Sequence, residues 1–149
     1  MTLTIRPAMP ADLDVAIELL QSASLPVGDL SVDKLVLVAE KDEKLQGVIG
    51  LESHGDCALL RSLVVSIDAR GAGIGPALVT ALESICQVNG VSELWLLTID
   101  ADVFFAKMGY LARDRADAPD AIRSTNEFSG LCPGDAVLMS KKLFDPIRS

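Results

Sequence analysis

The chain has 149 residues, half of them hydrophobic, and a formal net charge of −8 at pH 7. This length predicts one domain over residues 1–149 with a buried core, and the acidic charge disfavours nucleic acid and anionic membranes as partners. The N-terminus lacks a signal-peptide layout and no apolar run approaches the roughly 18 residues of a membrane span, so a cytoplasmic protein is expected.

The N-terminal region predicts a strand followed by a helix. Residues 2–6 alternate apolar and polar side chains up to Pro7, which is typical of a strand. Pro10 opens a segment whose apolar residues follow helical spacing: Leu13, Ala16, Ile17 and Leu20. Residues 22–33 contain proline and glycine and predict a loop or a broken helix.

An antiparallel meander is predicted next. Strands over residues 35–40 and 45–53 are joined by a polar turn, and a second turn at 54–56 leads into a strand over residues 57–65. His54, the only histidine, has the chemistry of a general base, but its place in the turn favours a solvated residue.

The strand over residues 57–65 is apolar except at Arg61 and Ser62, which indicates a strand buried on both faces with one polar interruption. Side chains of adjacent strand residues point to opposite faces, so at most one of these two is expected to face a ligand directly. This interruption is a candidate site.

A glycine-rich turn follows this strand. Gly71, Gly73 and Gly75 alternate with other residues before Pro76, which suits the first turn of a helix, and Asn89-Gly90 predicts where that helix ends. Glycines let several backbone N–H groups converge on an anion at the positive end of the helix dipole. A pyrophosphate fits this arrangement, and a tight connection without a ligand fits it equally well.

Two other phosphate-binding motifs are excluded by this spacing. The Walker motif requires a lysine and a hydroxyl residue after its last glycine, and Pro76-Ala77 stand there. The dinucleotide motif requires G-x-G-x-x-G, whereas the glycines here follow G-x-G-x-G.

The second half predicts a buried strand over residues 92–98, parallel to the strand over 57–65 because a helix joins them. A short helix begins near Asp102 and ends at Gly109, held to the core by aromatic side chains. A last strand is predicted over residues 137–141.

Two motifs together resemble the GCN5-related N-acetyltransferase (GNAT) superfamily. Arg70-Gly71-Ala72-Gly73-Ile74-Gly75 is similar to its Q/R-x-x-G-x-G/A signature, and residues 104–110 are similar to its F-Y/F-x-x-x-G-F/Y segment. The resemblance covers nearly all of the chain. It implies an α/β (α+β) fold with a mixed, mostly antiparallel sheet of about seven strands, a splayed parallel pair and about four helices.

The resemblance also implies that acetyl-CoA is the cosubstrate, with its pantetheine arm entering between the splayed strands. The glycine loop would bind the pyrophosphate through backbone amides, and Arg70 would add positive charge. Val64 and Val65 would pair with the pantetheine and polarise the thioester carbonyl. The full set of implied cofactor-binding residues is Val64, Val65, Arg70, Gly71, Ala72, Gly73, Ile74, Gly75, Thr98, Phe104 and Phe105.

The catalytic positions depart from the family pattern. Leu59 stands where many members carry a glutamate, and Phe105 stands where many carry a tyrosine that protonates the leaving thiolate. Glu52 on the neighbouring strand is the replacement candidate for the base, and Tyr110 or a water is the candidate acid. An exposed strand carboxylate explains Glu52 equally well.

The C-terminal residues 118–143 resemble those of arsenic-resistance-type N-acetyltransferases and related amino-acid N-acetyltransferases. That resemblance implies a small amino acid or an amino-acid-like toxin as acceptor. Its carboxylate would need an arginine, for which Arg61 with Ser62 is the first candidate. Arg123 and Glu127, four residues apart in a predicted helical turn, are a second candidate, with a surface ion pair as the simpler explanation.

Two other functions stay open: an acetyltransferase acting on a peptide or protein amine, and an acyl-CoA-binding sensor without catalysis. The three scattered cysteines, Cys57, Cys86 and Cys132, argue against a disulfide framework and a zinc site, so no metal is expected. The C-terminal strand, if it lies at a sheet edge, could pair across a homodimer.

Overall fold

The computed structural model describes residues 3–22, 34–66, 69, 71–99, 101–125 and 136–144. The strands in these ranges are β1 (Thr4–Pro7), β2 (Leu35–Lys41), β3 (Lys44–His54), β4 (Cys57–Val65), β5 (Glu93–Thr98), β6 (Leu111–Arg113) and β7 (Val137–Lys142). The α-helices there are α1 (Leu13–Ser22), α2 (Ile74–Val88), α3 (Asp102–Lys107) and α4 (Asp120–Arg123).

The strands form one seven-stranded sheet in the order β1-β2-β3-β4-β5-β7-β6. The pairs β1/β2, β2/β3, β5/β7 and β6/β7 are antiparallel, whereas β4 and β5 are parallel. The parallel register places Cys57 opposite Glu93 and Leu59 opposite Trp95. The predicted mixed sheet with one parallel pair and four helices is confirmed.

The chain divides into two compact units, and the prediction of a single domain stays a prediction. One unit comprises Met1–Leu51 and Arg61–Ser84, and the other comprises Glu52–Leu60 and Ile85–Ser149. None of the helices among the described residues is long and apolar enough to cross a membrane.

The core of the first unit lies between α1 and its strands. Ala16 and Leu20, on the apolar face of α1, pack with Leu35, Val38, Val48 and Val64. Ala16, Leu20, Val38 and Val48 are completely buried, and burying a Val- or Leu-sized side chain stabilises the fold by about 1.5–3 kcal/mol. The helical spacing in the sequence therefore predicted the correct face.

An ion-pair network holds the start of α1. Asp12 accepts hydrogen bonds from both terminal nitrogens of Arg6, at 2.9 and 3.0 Å, and from the Met9 backbone N–H at 2.7 Å. Arg6 Nη2 also donates to Glu40 at 2.8 Å. The hydrogen bonds from Arg6 lower the pKa of Asp12 below its ordinary value.

The second unit has its own core of six buried residues: Cys57, Leu59, Trp95, Ala118, Ile122 and Leu138. Ile122 comes from α4, which spans only four residues. A helix this short has little stability of its own, so packing of Ile122 against the sheet residues fixes its position.

The edge of the sheet differs from the expectation for the C-terminal strand. β7 lies between β5 and β6, so it is not an edge strand and its backbone is already paired on both sides. On this side of the sheet the edge strand is β6, which the sequence did not predict because its three residues are all exposed and show no alternation. The argument for a homodimer through the C-terminal strand is therefore wrong, and oligomeric state stays a prediction.

Candidate functional site

A glycine on β3 lets the start of α2 lie close to the sheet. A Cβ atom added to Gly47 would lie 3.1 Å from the Leu78 side chain, 3.1 Å from the Val64 carbonyl oxygen and 3.2 Å from the Ile74 side chain. Such distances are tighter than ordinary van der Waals contact, so a larger residue would push the helix away. This close approach positions the turn between β4 and α2.

The glycine turn itself has a left-handed backbone and an open outer side. Gly71 and Gly73 have φ angles of +87° and +79°, which only glycine adopts readily. No atom lies within 4 Å of a Cβ added at either residue. Gly73 and Ala72 are exposed, so the turn borders open space in this unit.

The hydrogen bonds of this turn leave amide donors at the helix start. The Ala77 N–H donates to the Gly73 carbonyl at 3.2 Å, which makes Gly73 the cap of α2. The N–H groups of Ile74 and Gly75 belong to the first turn, where a helix supplies no acceptor, and Pro76 has no N–H. These donors and the positive end of the helix dipole suit an anion such as a pyrophosphate. Arg70 lies outside the described residues.

A cavity of about 420 Å³ borders the same turn. Ala69, Ala72 and Ile74 line one part of it, and residues of the β2–β3 hairpin line another, including Lys41 and Lys44. The sequence analysis treated these lysines only as a polar turn. The topology could have identified them, because the β2–β3 turn lies at the end of the sheet where β4 leads into the glycine turn.

Arg61 and Ser62 lie together, which corrects the expectation that they point to opposite faces. Ser62 has a left-handed φ of +61°, so β4 is not regularly extended there and the alternation of side chains breaks. Arg61 Nε donates a hydrogen bond to Ser62 Oγ at 3.2 Å. Both residues are buried, with 2% and 8% of their surface exposed.

Gly50 makes room for this buried arginine. A Cβ atom added to Gly50 would lie 3.3 Å from Arg61 Cγ and only 2.6 Å from the Lys34 carbonyl oxygen. The Arg61 side chain therefore packs against β3 at Gly50, where the strand has no side chain.

Val64 and Val65 end β4 just before the turn. Val64 is 6% exposed and its side chain belongs to the core of the first unit, whereas Val65 is half-buried. The Val64 side chain is therefore occupied by the core, which leaves its backbone groups for the predicted ligand role; the roles of Val64 and Val65 stay predictions. The next residue, Ser66, donates its N–H to the Gln46 carbonyl at 2.7 Å and fixes the end of the strand.

In the second unit, the turn after α3 is a closed structural cap. Gly109 has a φ of +98°, and its N–H donates to the Ala106 carbonyl at 3.1 Å. The Tyr110 N–H donates to the Phe105 carbonyl at 3.0 Å, which completes a Schellman motif. The Tyr110 ring packs edge-on against Phe105 with centroids 5.5 Å apart, the apolar contact that accompanies this motif.

The other candidate cofactor-binding and catalytic residues of this unit are buried or half-buried. Phe104 is half-buried and packs edge-on against Phe105, which is 4% exposed. The hydroxyl of Thr98 accepts a hydrogen bond from the Ala101 N–H at 2.9 Å, just before α3 begins. Tyr110 is 1% exposed, and Lys141 Nζ lies 5.6 Å from the centre of its ring.

Glu52 and His54 are the acid–base candidates on β3. Glu52 is half-buried, so the structure does not present it as a fully exposed strand carboxylate. His54 is the last residue of β3 rather than a solvated turn residue; its Nε2 is shielded from water and has no partner among the described residues.

Arg123 pairs differently from the expectation. Its guanidinium bonds the carboxylate of Asp120, three residues earlier, and both side chains are exposed. α4 ends at Arg123, and Glu127 lies outside the described residues.

Cys57 and Cys86 are buried, and Cys132 lies outside the described residues. Burial, followed by the charges of Asp56 and Glu93, raises the pKa of the Cys57 thiol. Within the ranges that the structure describes, no three His, Cys, Asp or Glu side chains are grouped as a metal site would need.

Comparisons with known proteins agree with this fold. A family model described as an acetyltransferase (GNAT) domain matches residues 33–111, more than half of the chain. A protein of Chlorobaculum tepidum, named as an uncharacterized N-acetyltransferase, is 37% identical over 65 residues. That match covers 44% of this chain and 41% of the relative.

Solved structures are similar in fold. An N-acetylglutamate synthase from Neisseria gonorrhoeae, complexed with coenzyme A and N-acetyl-glutamate, superposes with a TM-score of 0.83 at 20% identity, over 97% of this chain and 36% of the synthase. A protein from Mycobacterium tuberculosis in complex with CoA and a second compound gives 0.79 at 20% identity, covering 95% and 99% of the two chains. The matched regions thus cover about two fifths of the curated relative and just over a third of the synthase. With the family model matched over the β2–β6 region, the chain belongs to the acetyltransferase (GNAT) domain family.

Proposed function

We propose that this chain is an acetyl-CoA-dependent N-acetyltransferase that acts on the amine of a small amino acid or an amino-acid-like compound. The observation that carries the proposal is the open glycine turn at the start of α2, in a chain of the GNAT family. The structural relative that was solved with coenzyme A and N-acetyl-glutamate supports both the cosubstrate and the acceptor class.

The amides of Gly71, Gly73, Ile74 and Gly75 bind the pyrophosphate of acetyl-CoA, with added charge from Arg70. The Ala72 N–H donates to the Ala69 carbonyl at 3.4 Å, so Ala72 contributes to the shape of the turn. The left-handed glycines and the first turn of α2 support this assignment, because a ligand can approach the amide donors closely. Val64 and Val65 hold the pantetheine through their backbone groups, and one of their N–H groups stabilises the developing negative charge on the thioester oxygen. Thr98, Phe104 and Phe105 complete the cofactor contacts, with Phe105 supporting the half-buried ring of Phe104.

Transfer occurs directly, without an acyl-enzyme. The amine nitrogen forms a bond to the acetyl carbon, the carbon–sulfur bond breaks, and the sulfur leaves as a thiolate. Glu52 removes the proton from the amine, directly or through a water, and Tyr110 or a water returns a proton to the thiolate. Glu52 is half-buried, and a carboxylate in such a position can accept the proton of an amine.

Arg61 and Ser62 bind the carboxylate of the acceptor. The buried guanidinium already donates to Ser62 Oγ, so the pair is held in one arrangement before a ligand arrives. Arg123 and Glu127 are second candidates, and the exposed ion pair of Arg123 with Asp120 supports them less. The resemblance of residues 118–143 to arsenic-resistance-type enzymes adds toxic analogues of glutamate to the acceptor class.

The test is release of the CoA thiol from acetyl-CoA in the presence of free amino acids, glutamate, and its phosphinic and arsinic analogues. The proposal expects release with at least one acceptor. Silence across the panel, with acetyl-CoA binding confirmed by a rise in melting temperature, would overturn the small-acceptor assignment in favour of a peptide acceptor or a sensor.

Arg61→Lys and Arg61→Ala then test the acceptor site. Lysine keeps the charge but cannot bind a carboxylate with two parallel hydrogen bonds, so KM for the acceptor should rise about tenfold or more while the Kd for acetyl-CoA is unchanged. Ser62→Ala leaves the arginine in place and should have a smaller effect. An unchanged KM in a folded Arg61→Lys variant would exclude this role.

A further inference from the structure

The hairpin turn between β2 and β3 combines two unfavourable features. Lys41 and Lys44 stand directly opposite each other in the antiparallel register, which places like charges side by side. The two residues between them, Asp42 and Glu43, have left-handed φ angles of +54° and +64°. A two-residue turn of this shape favours Asn-Gly, because a side chain at positive φ is strained.

The like charges of the two lysines are not compensated by ion pairs within the described residues. Lys41 and Lys44 are exposed, and neither ammonium group takes part in an ion pair there. The chain as a whole carries a net charge of −8, so acidic partners for lysines are abundant. Asp42 and Glu43 stand between the two lysines in sequence, but neither forms an ion pair with them, so two ammonium groups remain side by side and suit an anionic ligand.

The lysines share a cavity with the glycine turn. Its lining includes Lys41, Lys44 and Gln46 from the hairpin and Ala72 and Ile74 from the turn and α2, together with the carboxylate-bearing Asp42. The volume of about 420 Å³ is larger than one phosphate group and leaves room for a phosphorylated sugar. The hairpin and two residues of the turn region, Ala72 and Ile74, therefore border one ligand-sized space.

We infer that Lys41 and Lys44 form a second phosphate subsite beside the glycine turn, which binds the phosphate monoester on the ribose of coenzyme A. The inference rests on the proposed function, because it requires coenzyme A to occupy the glycine turn. The amide donors of the turn serve the pyrophosphate, whose phosphates each carry one charge. A phosphate monoester carries nearly two charges at neutral pH, which two ammonium groups match.

The experiment compares the Kd values of coenzyme A and 3′-dephospho-coenzyme A, measured by calorimetry at low salt. The wild-type chain should bind coenzyme A about tenfold more tightly than the dephosphorylated compound. The double variant Lys41→Gln, Lys44→Gln should bind both compounds equally, with the Kd of wild type for 3′-dephospho-coenzyme A. A control with the same loss of charge elsewhere, Lys107→Gln with Lys142→Gln, should retain the tenfold preference.

Three results would overturn the inference. If the double variant retains the preference with unchanged Kd values, the monoester binds elsewhere. If the Kd values of both compounds rise by the same factor, the lysines contact the pyrophosphate instead. In both cases coenzyme A still binds, so the proposed function stands. Failure of the wild-type chain to bind either compound would remove the proposed function together with this subsite.

Discussion

Two glycine turns of this protein differ in how they use their backbone donors. The turn before α2 has left-handed Gly71 and Gly73, open space around both, and amide groups at the start of a helix. The turn after α3 has left-handed Gly109, but the N–H groups of Gly109 and Tyr110 are bonded to carbonyls of α3 and the Tyr110 ring covers Phe105. The two turns lie at opposite ends of their helices, and this explains the difference. The start of a helix leaves backbone N–H groups without intrahelical partners, whereas the N–H groups that follow the end of a helix bond to its last carbonyls. The backbone donors of the first turn are thus open to the ligand that we propose, whereas those of the second turn form a structural cap.

The largest expected effect comes from changing the first turn. Gly73→Ala places a methyl group on the open side of the amide donors, so the Kd for acetyl-CoA should rise about 30-fold, equivalent to roughly 2 kcal/mol. Isothermal calorimetry measures it.

The matched control for this variant is Gly55→Ala in the β3–β4 turn. Gly55 has a φ of +78° and no atom within 4 Å of an added Cβ, so it suffers the same backbone strain without bordering the glycine turn. Equal loss of binding in both variants would attribute the effect to general destabilisation.

The variant Tyr110→Phe removes the hydroxyl of this residue and keeps the ring that packs in the second turn. The ring contact with Phe105 persists, so stability should change by less than about 1 kcal/mol, whereas kcat should fall about tenfold if the hydroxyl protonates the thiolate. Stopped-flow thiol detection gives kcat. An unchanged kcat would assign proton return to water.

Gly109→Ala should act on stability alone. An alanine at a φ of +98° is strained, and its Cβ would lie 3.3 Å from the Lys141 side chain, so unfolding free energy should fall by about 1 kcal/mol. Urea unfolding measures this change. Acetyl-CoA binding per folded molecule should be unaltered; a loss of binding without a loss of stability would contradict the structural role of this turn.

The smallest effect is expected at a network that belongs to neither turn. Arg6 lowers the pKa of Asp12, so the stabilisation from this pair is present above the ordinary carboxyl pKa and disappears as the pH falls through the lowered value. Asp12→Asn should therefore lower the unfolding free energy by roughly 1 kcal/mol at pH 7, and by less below about pH 4.

Urea unfolding at a series of pH values measures the contribution of Asp12, with exposed Asp14→Asn as the control. A pH-independent difference between wild type and Asp12→Asn would contradict the ion-pair explanation.

The elements with regular apolar spacing were predictable from the sequence. The strand β4, the helix α2 and its stop at Gly90 follow from patterns that burial enforces over several residues. β6 was missed because three exposed residues carry no such pattern.

The details of the site depended on single backbone angles and on pairing between distant residues. The left-handed Ser62 brings its side chain to Arg61, and alternation along a strand cannot reveal one such residue. A ligand-binding role for Lys41 and Lys44 is indicated only by the cavity that the fold forms beside Ala72 and Ile74.

The most direct test of the account follows the backbone amides of both turns by ¹H–¹⁵N NMR while acetyl-CoA is added. We expect the amide signals of Gly71, Gly73, Ile74 and Gly75 to shift most, and those of Gly109 and Tyr110 clearly less. Binding of acetyl-CoA that leaves the signals of the glycine turn unchanged would contradict the proposal that this turn holds the cosubstrate.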